Sequence, residues 1–404
     1  MSNDELGFLG EVLTGHLKSL DKHLERFGSR PQGSRNFLNK LEVAALKGRG
    51  GAGFPAGIKW RTVFNQSQLM RSVVVGNGAE GEPASFKDRE LLKHSPHLVL
   101  DGLQIAAETV NANSIYLYLR HDDKAGWESV RHALTERKKI KEIKIKIVKA
   151  PSHYVASEET AVVSRLNGKE AKPKDTPPRP FQKGVSGKPT LVQNVETLAR
   201  IALLARGLEA TNWTLTTLWG PGNSFSVVDV KLGTSFSELK AMGKFSSEEI
   251  RAVLVGGYFG LWFDWKSVAD SGFGTEVPSG AGLVAMLGMS QCGLSESSRI
   301  LNYLSRESAR QCGPCQFGLV SMAKAVEDIK LGLGTPHKVD KLRQWSEEIV
   351  GRGACRFPDG ASRFIISAMQ VFSKEVNSHL RKGVCEGCLK TPFLPTPAWG
   401  GGWK

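Results

Sequence analysis

A glycine-rich loop is the first stretch of this sequence whose residue types suggest a chemical role. It reads Gly48-Arg-Gly-Gly-Ala-Gly-Phe-Pro-Ala-Gly-Ile-Lys59 and has glycine at positions 48, 50, 51, 53 and 57. A backbone with so few side chains can approach a phosphate or a flat ring and direct N–H groups at it. Arg49 and Lys59 add positive charge that suits an anionic ligand. Because most glycine-rich loops are only turns, the loop alone leaves a turn and a ligand site equally open.

The cysteines are the second group with chemical potential, and all of them follow residue 290: Cys292, Cys312, Cys315, Cys355, Cys385 and Cys388. Two pairs have the Cys-x-x-Cys spacing of metal and redox sites. The N-terminus lacks the basic start and apolar core of a signal peptide, which predicts a cytoplasmic protein. In that compartment the cysteines indicate metal binding or redox chemistry, not a disulfide framework.

The formal net charge of +14 allows three kinds of partner: nucleic acid, an anionic membrane surface or an acidic protein. Much of the excess lies in residues 137–149, where Lys144 and Lys146 alternate with Ile145 and Ile147. That period predicts a half-buried strand with a solvated lysine face. Aromatic residues for base stacking do not interleave with these lysines, so no nucleic-acid site is predicted. The chain also has no run of about 18 uncharged apolar residues, so no insertion into a bilayer is predicted.

Alternating strand and helix patterns surround the glycine loop and must position it. Strands are predicted at 72–77, 114–120 and 143–148, and helices at 98–110 and 127–134, which favours a largely parallel α/β layer. The first strand leads into Asn77-Gly-Ala-Glu-Gly-Glu-Pro83. That segment follows the carboxyl end of the strand, where open α/β sheets bind ligands. A further helix is predicted to open at 191–197.

The pattern changes in the second half of the chain. Short strands are predicted at 226–230, 235–239 and 252–255, which indicates a small β-rich module. Residues 296–380 have a helical pattern and hold most of the cysteines. The end of the chain is rich in proline, glycine and tryptophan and is predicted to be extended.

Seven segments, in this order along the chain, resemble one family: Gly48-Arg-Gly-Gly-Ala-Gly-Phe-Pro, Ile58-Lys-Trp60, Glu80-Gly-Glu-Pro83, Lys87-Asp-Arg-Glu90, Glu158-Glu-Thr-Ala161, Asn194-Val-Glu-Thr197 and Cys312-x-Pro-Cys315. The sequence is identified as a member of the flavin-carrying, NADH-oxidising subunits of respiratory complex I and their relatives in soluble hydrogenases and formate dehydrogenases. The resemblance implies a Rossmann-like FMN domain, a β-grasp module and a helical bundle with one [4Fe–4S] cluster. The corresponding division is an N-terminal helical segment (1–40), an FMN domain (41–214), a β-grasp module (215–295), a cluster domain (296–380) and a Cys/Pro/Gly-rich tail (381–404).

The resemblance also assigns residues to the cofactors. It implies that the flavin and part of the nucleotide contact Gly48, Arg49, Gly50, Gly51 and Lys59. It further implies that the flavin contacts Asn77, Glu80, Tyr154, Glu158, Asn194 and Thr197. The positions that receive the nicotinamide nucleotide are Glu82, Glu159 and Phe54, and the candidates for catalysis are Glu82, Glu159 and Lys59. Helix capping and surface charge remain the alternative roles for the glutamates.

The nucleotide site departs from the family pattern. Phe54 is kept, but Thr62 and Arg179 stand where aromatic residues are expected, Ala79 replaces an acidic residue and Ser157 replaces a glycine. Each lost stacking pair weakens binding by on the order of 1 kcal/mol. Arg179, with Arg61 as a second cation, suggests that the 2′-phosphate of NADPH is recognised instead. The alternative is that nicotinamide binding has been lost.

The cluster site departs as well, because the first cysteine of the family run is Ala309 here. Cys312, Cys315 and Cys355 remain as ligands, where a cubane normally has four thiolates. Cys385 or Cys388 is predicted to fold back as the fourth ligand. A three-iron or open-site cluster and a zinc site made by the two Cys-x-x-Cys pairs are the alternatives. Cys292 is predicted to be a buried small side chain.

These observations predict a flavo-iron–sulfur oxidoreductase that moves electrons from NAD(P)H through FMN and a [4Fe–4S] cluster to a one-electron acceptor protein. The basic surface favours an acidic acceptor such as a ferredoxin, and other subunits of a redox complex are further expected partners. The alternative is an electron-relay or scaffold component that keeps both cofactors without binding nicotinamide. The expected location is cytoplasmic, or peripheral to a membrane enzyme through partners.

Overall fold

The computed structural model describes residues 9–10, 13, 15, 17–139, 142–245, 247, 249–398 and 403. The segment predicted at 1–40 and the tail predicted at 381–404 therefore lie partly outside the described residues. The predicted division of the chain into five segments stays a prediction.

A four-stranded parallel sheet organises the first half of the chain, with the strand order β3-β2-β1-β4. The elements up to residue 205 are α1 (Leu20–Phe27), α2 (Arg35–Val43), α3 (Ala56–Gln66), β1 (Ser72–Gly78), α4 (Lys87–His94), α5 (Pro96–Thr109), β2 (Ala112–Arg120), α6 (Lys124–Glu136), β3 (Ile145–Ala150), α7 (Glu159–Leu166), β4 (Thr190–Asn194) and α8 (Val195–Ala205). The strands predicted from β-branched runs and the helices predicted between them are present. The parallel α/β layer is therefore confirmed.

The sheet is covered on both faces. On one face Val74 and Leu117 pack with Leu103 of α5 and Leu198 of α8. These two helices are in close contact at Gly102. A Cβ at this position would come within 2.1 Å of the carbonyl oxygen of Leu198. The smaller cluster on the other face includes Val73, Val75, Tyr118, Val162 and Val192. Burial on both faces explains why the strands are apolar runs without alternation.

One predicted helix start is wrong. Residues 190–194 form strand β4, which pairs with β1 so that Val192 lies opposite Val75. The helix begins only at Val195, after Asn194 accepts hydrogen bonds from the backbone N–H groups of Glu196 and Thr197. The local sequence favours the helix because this run is short and its strand partner is distant in the sequence.

The predicted lysine face lies on β3, the edge strand of this sheet. Ile145 is buried, whereas Lys144, Lys146 and Lys149 are exposed. The ammonium groups of Lys146 and Lys149 lie over the rings of Tyr116 and Trp127. Charged side chains of this kind protect a sheet edge from pairing with another chain.

A mixed five-stranded sheet follows, in the order β6-β5-β9-β7-β8. Its elements are β5 (Trp213–Trp219), β6 (Phe225–Lys231), α9 (Phe236–Met242), β7 (Ile250–Val255), β8 (Leu261–Asp264), α10 (Trp265–Val268) and β9 (Leu283–Gly288). The strand predicted at 235–239 is wrong, because Ser235 and Glu238 form a capping box that starts α9.

Helices make up the last part: α11 (Gly293–Glu307), α12 (Leu319–Lys330), α13 (Pro336–Glu348), α14 (Phe357–Val371) and α15 (Ser373–Lys382). The predicted fold class is confirmed: a parallel α/β layer, a second sheet and a helical C-terminal region. Among the described residues, no helix is long and apolar enough to cross a bilayer.

Candidate functional site

A cavity of about 510 Å³ lies where the three parts of the fold meet. The sequence-predicted residues that line it are Arg49, Gly50, Gly51, Asn77, Glu80, Glu82, Tyr154, Glu158, Asn194 and Cys355. The second sheet adds Gly256, Phe259 and Ala281, and the helical region adds Phe357. The structure therefore brings the glycine loop, the carboxyl ends of β1 and β4 and one cysteine to a single cavity.

The glycine loop is held in place by its own backbone and by Thr197. The Gly48 N–H donates to the carbonyl of Phe54 at 2.9 Å, and the Arg49 N–H donates to Oγ1 of Thr197 at 2.9 Å. Gly51 has a φ of 104°, which favours glycine. The Arg49 guanidinium is buried and donates to the carbonyl of Thr211 at 2.7 Å. Thr197 thus supports the loop, and one nitrogen of the Arg49 guanidinium is already hydrogen-bonded within the protein.

Three of the predicted ligand residues cap helices. Glu80 accepts hydrogen bonds from the backbone N–H groups of Asp88 and Arg89 in α4, and Glu158 and Asn194 are the N-caps of α7 and α8. The capping alternative therefore accounts for the hydrogen bonds of these side chains. Because Glu158 and Asn194 also line the cavity, the N-terminal ends of α7 and α8 lie beside it. Their partial positive charges suit a phosphate.

Glu82 is the buried carboxyl group of the cavity. Its Oε2 accepts hydrogen bonds from the backbone N–H of Tyr258 at 2.7 Å and from the hydroxyl of Tyr154 at 3.0 Å. Burial raises the pKa of Glu82 to about 7, although these donors lower it in part. The group therefore exchanges a proton near neutral pH, which is the range in which a cavity carboxyl can assist redox chemistry.

The raised pKa predicts a pH-dependent stability. The folded protein binds a proton at Glu82 between about pH 4.5 and about pH 7 that the unfolded chain does not, so the free energy of unfolding falls across this window as the pH rises. Glu82→Gln removes this effect and keeps an oxygen for both tyrosine donors. The variant is expected to match the parent protein near pH 5 and to exceed its stability near pH 8 by up to about 3 kcal/mol.

Urea unfolding at the two pH values measures this difference. The matched control is Glu347→Gln, which changes an exposed glutamate of α13 and is expected to leave the free energy of unfolding at both pH values within about 0.5 kcal/mol of the parent. A Glu82→Gln variant that loses stability equally at both pH values would contradict the assignment of the titrating group.

A buried charge network that the sequence did not reveal reaches the cavity, because Lys87 and Asp88 are part of its lining. The Lys87 ammonium donates to Oδ1 of Asp88 at 2.7 Å and to Oε2 of Glu196 at 2.9 Å. Glu196 and Asp229 both pair with the guanidinium of Arg200. These charges compensate one another away from water and join α4, α8 and β6. Asp88 also accepts from Nδ2 of Asn194 at 2.6 Å, so the network positions a residue of the cavity wall.

Four of the predicted nucleotide residues are not part of the cavity lining. Lys59 and Glu159 form an ion pair at 2.9 Å, each about one third exposed. Phe54 is 54% exposed, and Arg179 is also exposed. None of these four residues is among the described residues that line the cavity.

Arg61, predicted as a possible second phosphate-binding cation, forms an ion pair within the protein. Its guanidinium donates to both carboxylate oxygens of Glu42 at 2.9 and 2.7 Å, and to Asn39. In a bidentate pair of this kind the carboxylate compensates the positive charge of the arginine within the protein. Sequence spacing placed Arg61 near the loop but did not show its partner 19 residues earlier.

An aromatic wall of the cavity was also missed. The rings of Tyr154, Phe259 and Phe357 meet with centroid distances of 4.7, 5.6 and 5.0 Å. The signal in the sequence was Gly256-Gly-Tyr-Phe-Gly260, a second cluster of glycines with aromatic residues. Gly257 makes room for Glu82, because a Cβ there would lie 2.6 Å from its Oε2.

The cysteines form two groups. The pKa of Cys315 is raised by burial and by the neighbouring thiols of Cys312 and Cys355, so these three lie together. Cys385 and Cys388 have other neighbours: their ligand atoms lie within 4.8 Å of those of Cys292 and His379. The structure thus does not support a fold-back of Cys385 or Cys388 to the first group. Cys292 is buried, as predicted, but it belongs to the second group.

Comparisons with known proteins agree with this arrangement. Residues 41–203 match the Nuo51 FMN-binding domain, and residues 288–379 match the NADH-ubiquinone oxidoreductase-F iron-sulfur binding region. The chain belongs to the family of flavin-carrying, NADH-binding subunits of complex I and related enzymes. It is an oxidoreductase of this family, with an FMN-binding domain and a 4Fe–4S binding region.

Its relatives include components of larger enzymes. An NADH-quinone oxidoreductase subunit of Rhizobium meliloti (strain 1021) is 29% identical over 380 residues, which cover 85% of this chain and 89% of the relative. The corresponding NADH-quinone oxidoreductase subunit of Aquifex aeolicus (strain VF5) is 28% identical over 376 residues, covering 85% and 86%. A chain of the NAD+-reducing [NiFe]-hydrogenase in its H2-reduced state superimposes with a TM-score of 0.79 at 25% identity. That match covers 86% of this chain and 63% of the hydrogenase chain.

The residues present fit an FMN at the cavity. The volume of the cavity lies within the roughly 300–1,000 Å³ that is typical of ligand pockets. Backbone of the glycine loop, the amide side chains of Asn77 and Asn194 and the aromatic wall all line it. These groups provide N–H donors for the polar parts and flat apolar surface for the ring of a flavin.

The first cysteine group offers three thiols that could bind a cluster. All six cysteines of the sequence lie within the described residues, and the other three belong to the second group. Ala309 stands at the first position of the family's cysteine run and is packed against the apolar core of the helical region. Cys312, Cys315 and Cys355 can therefore hold three corners of a cubane, and the fourth iron needs a ligand other than cysteine.

Proposed function

We propose that this chain passes electrons from a nicotinamide nucleotide through FMN and the cluster to a one-electron acceptor protein. The observation that carries the proposal is that Cys355 and Phe357 line the same cavity as Gly50, Gly51 and Asn194. A flavin held by the glycine loop would therefore lie beside Cys355, the proposed cluster ligand. FMN supplies the chemistry that this route needs, because it accepts two electrons and releases them singly.

The protein's own residues provide the surroundings of that chemistry. Backbone N–H groups of the glycine loop and the N-terminal ends of α7 and α8 favour the phosphate of the cofactor. Glu82 holds a proton near neutral pH at a buried carboxyl. Lys59, paired with Glu159, keeps a fixed charge close to the glycine loop. In this proposal Glu82, Glu159 and Lys59 keep their roles as candidates beside the reacting nucleotide.

The nucleotide is the part of the proposal with two candidates, NADH and NADPH. Thr62 offers no stacking surface, and its hydroxyl donates to the carbonyl of Ile58. Arg179 remains exposed, so its guanidinium is accessible to a 2′-phosphate. We therefore propose a preference for NADPH that depends on Arg179.

An anaerobic absorbance titration of the flavin with NADPH and NADH tests this preference. The parent protein is expected to bleach at lower NADPH than NADH, and Arg179→Phe is expected to reduce the preference by about tenfold, equivalent to one lost charged contact. Arg343→Phe, at an exposed arginine of α13, is the matched control and should leave the preference unchanged. Bleaching by neither nucleotide would contradict the dehydrogenase proposal and favour the electron-relay alternative.

The acceptor is proposed to be acidic. Three exposed arginines, Arg310, Arg352 and Arg356, lie within three residues of a cluster cysteine. Phe317 and Val320, which follow Cys315, are 65% and 43% exposed. Exposed arginines and apolar side chains near the cysteines in the sequence suit an acidic redox protein such as a ferredoxin, or another subunit of a redox complex. Electron transfer to such an acceptor should slow as salt is added, and a rate independent of ionic strength would contradict an acidic partner.

A further inference from the structure

A group of four side chains at the end of the helical region has no part in the flavin cavity or the cluster. Cys292 caps the start of α11, His379 lies in the last turns of α15, and Cys385 and Cys388 flank a short turn after that helix. Their ligand atoms all lie within 4.8 Å of one another. Cys292 and His379 are buried, and the other two are partly buried.

Three distances within this group match the ligand spacing around a single tetrahedral ion. The Sγ of Cys292 and the Sγ of Cys388 each lie 3.7 Å from Nε2 of His379, and the two sulfurs of Cys385 and Cys388 are 3.7 Å apart. Zinc–sulfur bonds of about 2.3 Å and zinc–nitrogen bonds of about 2.0–2.1 Å place tetrahedral ligands about 3.6–3.8 Å from one another. An iron–sulfur cluster would hold its ligands further apart, because several irons separate them.

The histidine is oriented as a metal ligand. Its Nδ1 lies 2.6 Å from the carbonyl oxygen of Lys330 in α12. A carbonyl only accepts, so this contact places the ring proton on Nδ1 and leaves a lone pair on Nε2, the atom that faces both thiols. Metal-binding histidines are fixed in this way by a partner of the second ring nitrogen.

The surrounding backbone also fits a ligand set. The N–H of Ser295 donates to Sγ of Cys292 at 3.3 Å, at the N-terminal end of α11. Gly387 lies against Cys292, and a Cβ there would come within 2.9 Å of the Cys292 nitrogen. The Cys385-Glu-Gly-Cys388 turn is therefore closely packed on the backbone of Cys292.

We propose that Cys292, His379, Cys385 and Cys388 bind one structural Zn²⁺. Three thiolates and one imidazole form a closed Cys3His set, the composition typical of structural zinc. On binding, the three thiols release their protons to solvent and the neutral imidazole contributes its lone pair. This site differs from the zinc site predicted from the two Cys-x-x-Cys pairs, because only one of those pairs takes part.

The ion would anchor the tail of the chain to the helical region. Beyond Cys388, the backbone N–H groups of Phe393 and Leu394 donate to the carboxylate of Glu296 in α11. The hydroxyl of Tyr258 donates to the carbonyl of Pro395, and the Tyr258 N–H donates to Glu82 in the cavity. Fixing Cys385 and Cys388 holds the tail where it supports this wall of the cavity.

Metal analysis of the full chain, purified without oxygen or added zinc, tests the proposal. About one zinc per chain is expected beside the iron and sulfide of the cluster. Cys388→Ser and His379→Asn should each lower bound zinc at least about tenfold after dialysis against a mild chelator, with iron and sulfide retained. Cys312→Ser is the matched control, which should lose iron and sulfide while keeping zinc.

X-ray absorption at the zinc edge of the unaltered protein gives a second test that does not depend on the folding of any variant. Three sulfurs at about 2.3 Å and one nitrogen at about 2.0–2.1 Å are expected. Zinc surrounded only by oxygen and nitrogen, zinc retained in both ligand variants, or a zinc-free protein with iron at these cysteines would overturn the proposal.

Discussion

Lys87→Met is expected to lower the free energy of unfolding by about 3–5 kcal/mol, because it removes the cation that compensates two buried carboxylates. Lys87 is 3% exposed and lies 2.7 Å from Asp88 and 2.9 Å from Glu196. Methionine keeps most of the apolar stem that packs against Gly282, so the lost charge dominates the effect. Urea unfolding monitored by fluorescence measures the change. Flavin retention is expected to fall as well, since Asp88 holds Asn194 at the cavity.

The matched control lies on the same helix. Lys93 pairs with Glu90 at 3.3 Å, and both side chains are at least one third exposed. Lys93→Met should therefore change stability by less than about 1 kcal/mol. The loss in Lys87→Met should also shrink at low pH, where the orphaned Asp88 can be protonated. Equal effects of the two lysine variants would mean that the buried pairs contribute no more than a surface pair.

Much of the fold follows from local pattern. The strand at β1 and the lysine-flanked strand at β3 were predicted because β-branched runs and alternation report burial directly. The errors lie where local pattern is ambiguous. Residues 190–194 form a short run in which only Leu191 and Val192 are apolar, and their pairing with β1 makes them a strand. Residues 235–239 were assigned as strand although Ser235 and Glu238 form a capping box three residues apart.

The sequence predicted which residues belong to the candidate site, but not what each residue does there. The family resemblance placed Asn77, Glu82 and Asn194 at one site, and the structure brings them to one cavity. It did not show that Asn194 caps a helix, or that Glu82 titrates near neutral pH. Those properties depend on partners such as Tyr258, which is 176 residues from Glu82 in the sequence.

For the cysteines as well, the sequence pattern predicted one property and only the tertiary structure shows the other. Spacing predicted metal binding at both Cys-x-x-Cys pairs, but it could not show which other residues join each pair. His379 carries no sequence signal, since a single histidine on a helix is commonly a core residue. Its role emerges only because α15 and the β9–α11 junction meet beside the turn at Cys385. Ligand sets drawn from distant elements are therefore decided by packing.

Cys355→Ser is expected to separate flavin reduction from electron transfer to a protein acceptor. Cys355 both lines the flavin cavity and lies beside Cys312 and Cys315. Removing its thiolate leaves two cysteines for the cluster, too few to hold a cubane. Iron and sulfide should be lost while FMN is retained, and reduction of a protein acceptor should fall to background. Reduction of ferricyanide, which can take electrons directly from a flavin, should keep about the parental rate.

Ala354→Ser is the control for this variant, because it introduces the same hydroxyl side chain one residue away and removes no ligand. It should keep iron, sulfide and both activities. If Cys355→Ser instead lost ferricyanide reduction together with acceptor reduction while FMN remained bound, Cys355 would be needed at the flavin itself. If it kept the cluster and both activities, a residue other than Cys355 would have to be the third ligand of the cluster, beside Cys312 and Cys315. Either result would refute the route in which Cys355 connects the cavity to the cluster.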